Sequence, residues 1–102
     1  MRDIIAREEF SNSVNSGFKL KVDDSNSLEI ELVTFEDLGS TPRQEQFSLV
    51  FRGPAAPSLP QTVYQLEHEA IGLFNIFLVP VGRDNLGVYY EAIFNRFPEQ
   101  EP

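Results

Sequence analysis

From Phe47 to Asn95 the chain reads FSLVFRGPAAPSLPQTVYQLEHEAIGLFNIFLVPVGRDNLGVYYEAIFN, four runs rich in β-branched and aromatic residues set between glycine- and proline-bearing turns. Runs of this kind, short and bounded by turn residues, are what antiparallel strands require. Strands are expected over Gln46 to Arg52, Thr62 to His68, Leu73 to Val81 and Val88 to Asn95. Gly53-Pro54 stops the first of them. Pro57 and Pro60 stiffen the loop that follows, because proline cannot donate to a sheet ladder. The tight Glu69 to Gly72 connection and a turn over Gly82 to Gly87 make the last three strands a meander.

The N-terminal half adds two more strands. Phe18, Leu20 and Val22 alternate with Lys19 and Lys21, the pattern of a half-buried strand over Gly17 to Val22. After the polar turn Asp23 to Ser27, the residues Leu28, Ile30 and Leu32 alternate with Glu29 and Glu31. The two runs pair as a hairpin with lysines opposed to glutamates on the outer side. A polar connection, Glu36 to Glu45, leads to the strand at Gln46. Ahead of all this, Ala6 to Ser16 is expected to form a short helix, with Phe10 and Val14 on one face and Gly17 placed to end it. The fold expected is therefore all-β with one short N-terminal helix, a small six-stranded antiparallel barrel or sandwich. A single domain should occupy residues 1–97, followed by a loose polar tail over 98–102.

Composition supports one core and narrows the partners. With 102 residues, 41% of them hydrophobic, nine Phe and three Tyr, the chain suits one compact domain that buries roughly two-thirds of its unfolded surface. The absence of cysteine removes disulfides, thiolate metal sites and cysteine nucleophiles together. Sixteen acidic residues against eight Lys and Arg give a net charge of −8, which repels nucleic acid and anionic membranes. Only Lys19 and Lys21 lie close together, so no cationic stripe offsets that charge. The N-terminus carries acidic residues where a signal peptide needs an apolar run, and no apolar run is long enough to span a bilayer as a helix. A cytoplasmic protein without a nucleic acid or membrane partner is expected.

One strand departs from simple alternation. In LFNIFLVPV, Phe74, Ile76 and Leu78 share one face while Leu73, Phe77, Val79 and Val81 share the other, so both faces call for burial. A single-layer barrel leaves one of them in water. Leu73, Phe77 and Val79 are therefore candidates for an interface with a protein partner, a second copy of the chain being one occupant.

Catalytic equipment is weak. His68, the one histidine, lies between Glu67 and Glu69, but strand geometry sends consecutive side chains to opposite faces, which separates it from both. Asp23-Asp24-Ser25-Asn26-Ser27 has oxygen ligands at close spacing but lacks the central glycine and distal glutamate of an EF-hand loop. Ser48 and Ser58 have no GxSxG context. No cofactor and no metal are expected. Arg52 and Arg83 each stand beside a glycine at a strand end and are expected to pair with Glu67 or Glu91. Tyr89, Tyr90 and the proline loop offer surface for a carbohydrate or peptide.

The segments FSLVFRGP, LPQTVYQLEHEAIG, FLVPVGRD and YYEAIFN, in this order, resemble the signature segments of a family of short bacterial proteins known as a domain of unknown function. The resemblance spans residues 5–97 and is most specific from Phe47 to Asn95. It implies an accessory or structural role near phage-tail-like collar or fibre proteins, with no assigned catalytic residue. The polar positions that fall on its pattern, Arg52, Glu67, His68, Arg83 and Glu91, are candidates for a polar network or partner surface. A non-enzymatic interaction or assembly module is the function expected. The alternatives are a small-molecule or metal-dependent enzyme centred on Glu67 and His68, or a carbohydrate- or peptide-binding module.

Overall fold

The computed structural model describes residue 2 and residues 4–97. The expected tail over 98–102 lies outside the described residues. A short helix α1 (Arg7–Ser11) precedes six strands: β1 (Gly17–Lys21), β2 (Ser27–Asp37), β3 (Glu45–Gly53), β4 (Thr62–His68), β5 (Gly72–Asp84) and β6 (Gly87–Arg96). The strands close into a barrel in the order β1-β2-β3-β6-β5-β4, and every pairing is antiparallel.

The ring consists of two meanders, β1-β2-β3 and β4-β5-β6, that meet along two seams. At one seam Leu20 faces Leu66, joining the two first strands. At the other, β3 and β6 pair along their length from Gly53↔Val88 to Glu45↔Arg96. The middle strand of each meander carries one irregularity, between Leu32 and Thr34 in β2 and between Pro80 and Gly82 in β5. These bulges sit where a long strand leaves one set of neighbours for another. Thus β2 pairs with β1 before its bulge and with β3 around and after it, and β5 pairs with β4 through Leu78 and with β6 from Val79. An extra residue bends the strand and raises its twist, which is how a small sheet turns a barrel corner.

The inner face is apolar apart from His68 and the Tyr90 hydroxyl. Phe18, Leu20, Leu32, Phe47, Leu49, Phe51, Leu66 and Leu78 are all at most 1% exposed. Full burial of each such side chain stabilises by about 1.5–3 kcal/mol. The segments that lead into the two meanders add to this core. Ahead of β1, α1 sends Phe10 against Phe47, Phe74 and Phe94, with ring centroids 5.4–6.1 Å apart. Ahead of β4, the proline loop buries Leu59, whose amide donates to the Tyr90 hydroxyl at 2.9 Å.

Several boundaries differ from expectation for local reasons. The helix spans Arg7–Ser11 rather than 6–16. At and just past its end the hydroxyls of Ser11 and Ser13 donate to the Glu8 and Glu9 carbonyls, and such side chains compete with helical hydrogen bonding. Asn15, at φ 70°, makes the reversal that was expected of Gly17, and Gly17 instead opens β1. β1 stops at Lys21, which leaves the expected inward Val22 47% exposed in the turn. The expected turn over Gly82 to Gly87 narrows to Asn85-Leu86, since β5 runs on to Asp84. Gly87 is required there: its φ is 149°, and a Cβ would meet the Gly53 carbonyl oxygen at 2.1 Å.

Candidate interaction surface

On the outer side the two meanders present different chemistry. Lys19 on β1 stands in register between Glu29 on β2 and Glu67 on β4, and Arg52 on β3 bonds Glu31 on β2 at 2.8 Å. That half is a lattice of alternating charge. The outer face of the second meander mixes polar positions, Gln65, Glu67, Asn75 and Glu91, with a run of apolar ones. Val63 on β4 faces Phe77 on β5, and the two are 56% and 48% exposed. Val81 at the β5 bulge is 53% exposed, and Ile93 on β6 is 61% exposed. Val79 and Val50 are half-buried and flank Glu91 in a single rung, Val79↔Glu91↔Val50.

Both faces of β5 are apolar, as its sequence requires. Phe74, Ile76 and Leu78 point into the core, while Leu73 and Val79 are half-buried and Phe77 is exposed on the other side. The helix leaves this outer face uncovered, because Phe10 fills the barrel interior. The N-terminal segment runs beside Leu73, where the Arg2 amide donates to the Leu73 carbonyl at 2.8 Å.

The five polar candidates do not converge. His68 is 8% exposed, with its ring centroid 4.4 Å from that of Phe18. Its Nδ1 accepts from the Ala70 amide at 3.0 Å, which assigns the proton to Nε2. Nε2 then donates to the Ser16 hydroxyl at 2.8 Å, while that hydroxyl donates to the Ser13 carbonyl. Both ring nitrogens are engaged: Nε2 ties β4 to the segment ahead of β1, and Nδ1 holds the β4–β5 turn. Glu67 lies on the opposite face, in register with Lys19 and Leu73. Arg83 donates to the Ala55 carbonyl at 3.0 Å and so anchors the proline loop. The expected pairing of Arg52 and Arg83 with Glu67 or Glu91 is thus replaced by Glu31 and Ala55. Register decides this: Arg52 faces Glu31 across the β2–β3 ladder.

An open groove of about 560 Å³ is lined by Gly17, Glu29, Ile30, Glu31, Arg52, Gly53, Pro54 and Leu86. Of the five polar candidates only Arg52 reaches it, already bonded to Glu31. Among the described residues, no group of three or more His, Cys, Asp and Glu side chains is placed to hold a metal ion. Likewise, no helix among them is long and apolar enough to cross a membrane. Tyr64, which the sequence presents as an ordinary strand aromatic, donates to the Pro60 carbonyl, and desolvation followed by the nearby Tyr90 raises its pKa. Tyr64 and Tyr90 both hold the proline loop and do not form an open aromatic platform.

No curated protein and no solved structure matches this chain. One family model does, over residues 5–94, and its description is a domain of unknown function (DUF6916).

Proposed function

The chain belongs to the DUF6916 domain family, and on that premise we propose that it is a non-enzymatic interaction or assembly module that docks a protein through the outer face of β5 and β6. The observation that carries this reading is the exposure of Val63, Phe77, Val81 and Ile93 on neighbouring strands of one meander. Isolated exposed apolar residues are ordinary on protein surfaces, but neighbouring ones around a mid-strand phenylalanine characterise interfaces. The barrel interior is filled by side chains, so its ligand surface is the outside. An accessory place in a bacterial phage-tail-like or collar assembly, in the cytoplasm, is the setting that suits such a module.

Affinity capture from native cells with wild type and with a Phe77→Asp/Ile93→Asp double variant tests this reading. A protein held by the wild type and released by the folded variant supports it. Equal retention by both contradicts it. Light scattering over a wide concentration range addresses self-association through the same face, and a strict monomer removes a second copy as the occupant.

A further inference from the structure

Glu91 is the charged residue at the middle of this apolar face. Val79 and Val50 stand directly beside it across β5 and β3, and Tyr89 and Ile93 precede and follow it on the same side of β6. The residue is half-buried, and its carboxylate makes no hydrogen bond or ion pair with another described residue. Other arginines of the chain are committed elsewhere. Arg52, one rung away opposite Tyr89, bonds Glu31; Arg96 bonds Glu45 at 2.9 Å; Arg7 bonds Asp37 at 2.6 Å; and Arg2 bonds Glu9 at 2.5 Å. Covering the face would strip water from an unpaired carboxylate, which is costly unless the incoming surface supplies a cation.

Resting on the docking reading above, we infer that the partner is a basic protein segment that places one lysine or arginine on Glu91, flanked by apolar residues that cover Phe77, Val79 and Ile93. The net charge of −8 attracts such a segment and opposes a second copy of the chain. A two-fold contact centred on this face would also bring two Glu91 carboxylates together, and like charges facing each other suppress association. The two occupants respond to Glu91→Gln with opposite sign: a basic partner binds less tightly, whereas a self-dimer tightens.

The test uses the full chain labelled with nitrogen-15 and a synthetic peptide that alternates valine and leucine with polar residues around a single central lysine. A matched peptide carries glutamate at the same place. The lysine peptide is expected to shift the amides of Val50, Val79, Glu91 and Ile93 saturably at low salt. Either the glutamate peptide or Glu91→Gln should weaken binding by about tenfold or more, the loss of one charge-assisted contact. Equal binding of both peptides at this face, unchanged in Glu91→Gln, overturns the charge assignment and leaves docking intact. Absence of shifts on this face from either peptide overturns both. A dimer in light scattering that Glu91→Gln strengthens replaces the basic partner with a second copy.

Discussion

The two meanders are built alike inside and unlike outside. Each has three antiparallel strands with a bulged middle strand, each is preceded by a segment that adds a large apolar side chain to the core, and each supplies one strand to each of the two seams. Yet the outer face of the first carries Lys19, Glu29, Glu31 and Arg52, and that of the second carries Val63, Phe77, Val79 and Ile93. A barrel of this topology therefore folds with a charged outer face, since one half of this one does so. The apolar face of the other half answers to something besides folding, and protein recognition is the demand it fits.

If the inner faces are equivalent, the largest effects should be equal in the two halves. Leu20 and Leu66 face each other across the β1–β4 seam and are both fully buried. Leu20→Ala and Leu66→Ala should each cost about 2–5 kcal/mol in urea unfolding. A difference of more than half between them would break the comparison. His68 links the halves through Ser16 and accepts from the Ala70 amide of its own turn. His68→Ala should cost about 1–3 kcal/mol by leaving those polar groups unpaired. A destabilisation well under that range would show that the histidine is not a tie.

Outer substitutions should be small in stability and divergent in binding. Lys19→Glu sets a third carboxylate between Glu29 and Glu67 and should cost about 0.2–1 kcal/mol. Phe77→Asp should cost no more than about 1 kcal/mol through the lost contact with Val63. Thermal unfolding of both variants checks the costs, and partner capture should fail with Phe77→Asp alone.

The smallest difference concerns acid. Asp23 in the β1–β2 turn is held below the usual carboxylate range by the Asn26 side chain and the Ser25 amide. Asp37 at the end of β2 is held down by the Gly39 and Ser40 amides, and Asp84 before the β5–β6 turn by the Leu86 amide and the Tyr89 hydroxyl. Depressed folded values mean that this stability is fully present above the unfolded aspartate value of about 3.9 and is lost as pH falls through the folded values. Net repulsion does not decide the outcome, because full protonation turns −8 into +9, a charge of similar size. The urea midpoint should therefore fall below about pH 4. The first meander, with two of the three carboxylates, should lose hydrogen-exchange protection before the second. An unchanged midpoint at pH 2 would count against these turn contacts.

Much of the fold was legible where alternation is regular. Thr62–His68 matched its expected strand, and Lys19 met Glu29 in the hairpin as patterned. Boundaries were lost where bulges interrupt the period of two, so β2 and β5 run longer than expected and each serves two sets of neighbours. Barrel closure depends on contacts distant in sequence, Leu20 with Leu66 and Glu45 with Arg96, that no local pattern encodes. The candidate surface was half legible: the double apolar character of LFNIFLVPV marked Phe77 and Val79. That Glu91 lies between Val79 and Val50, away from Arg52 and Arg83, follows from the register of three strands. Ile93 and Val63 carried no signal beyond that of any strand residue and join the face only through pairing.

Photo-crosslinking in native cells tests the docking claim most directly, with benzoyl-phenylalanine placed at position 77 in one variant and at position 19 in another. A discrete protein adduct from position 77 and none from position 19 is the predicted result. Equal adducts from both positions, or an adduct from position 19 alone, would contradict it.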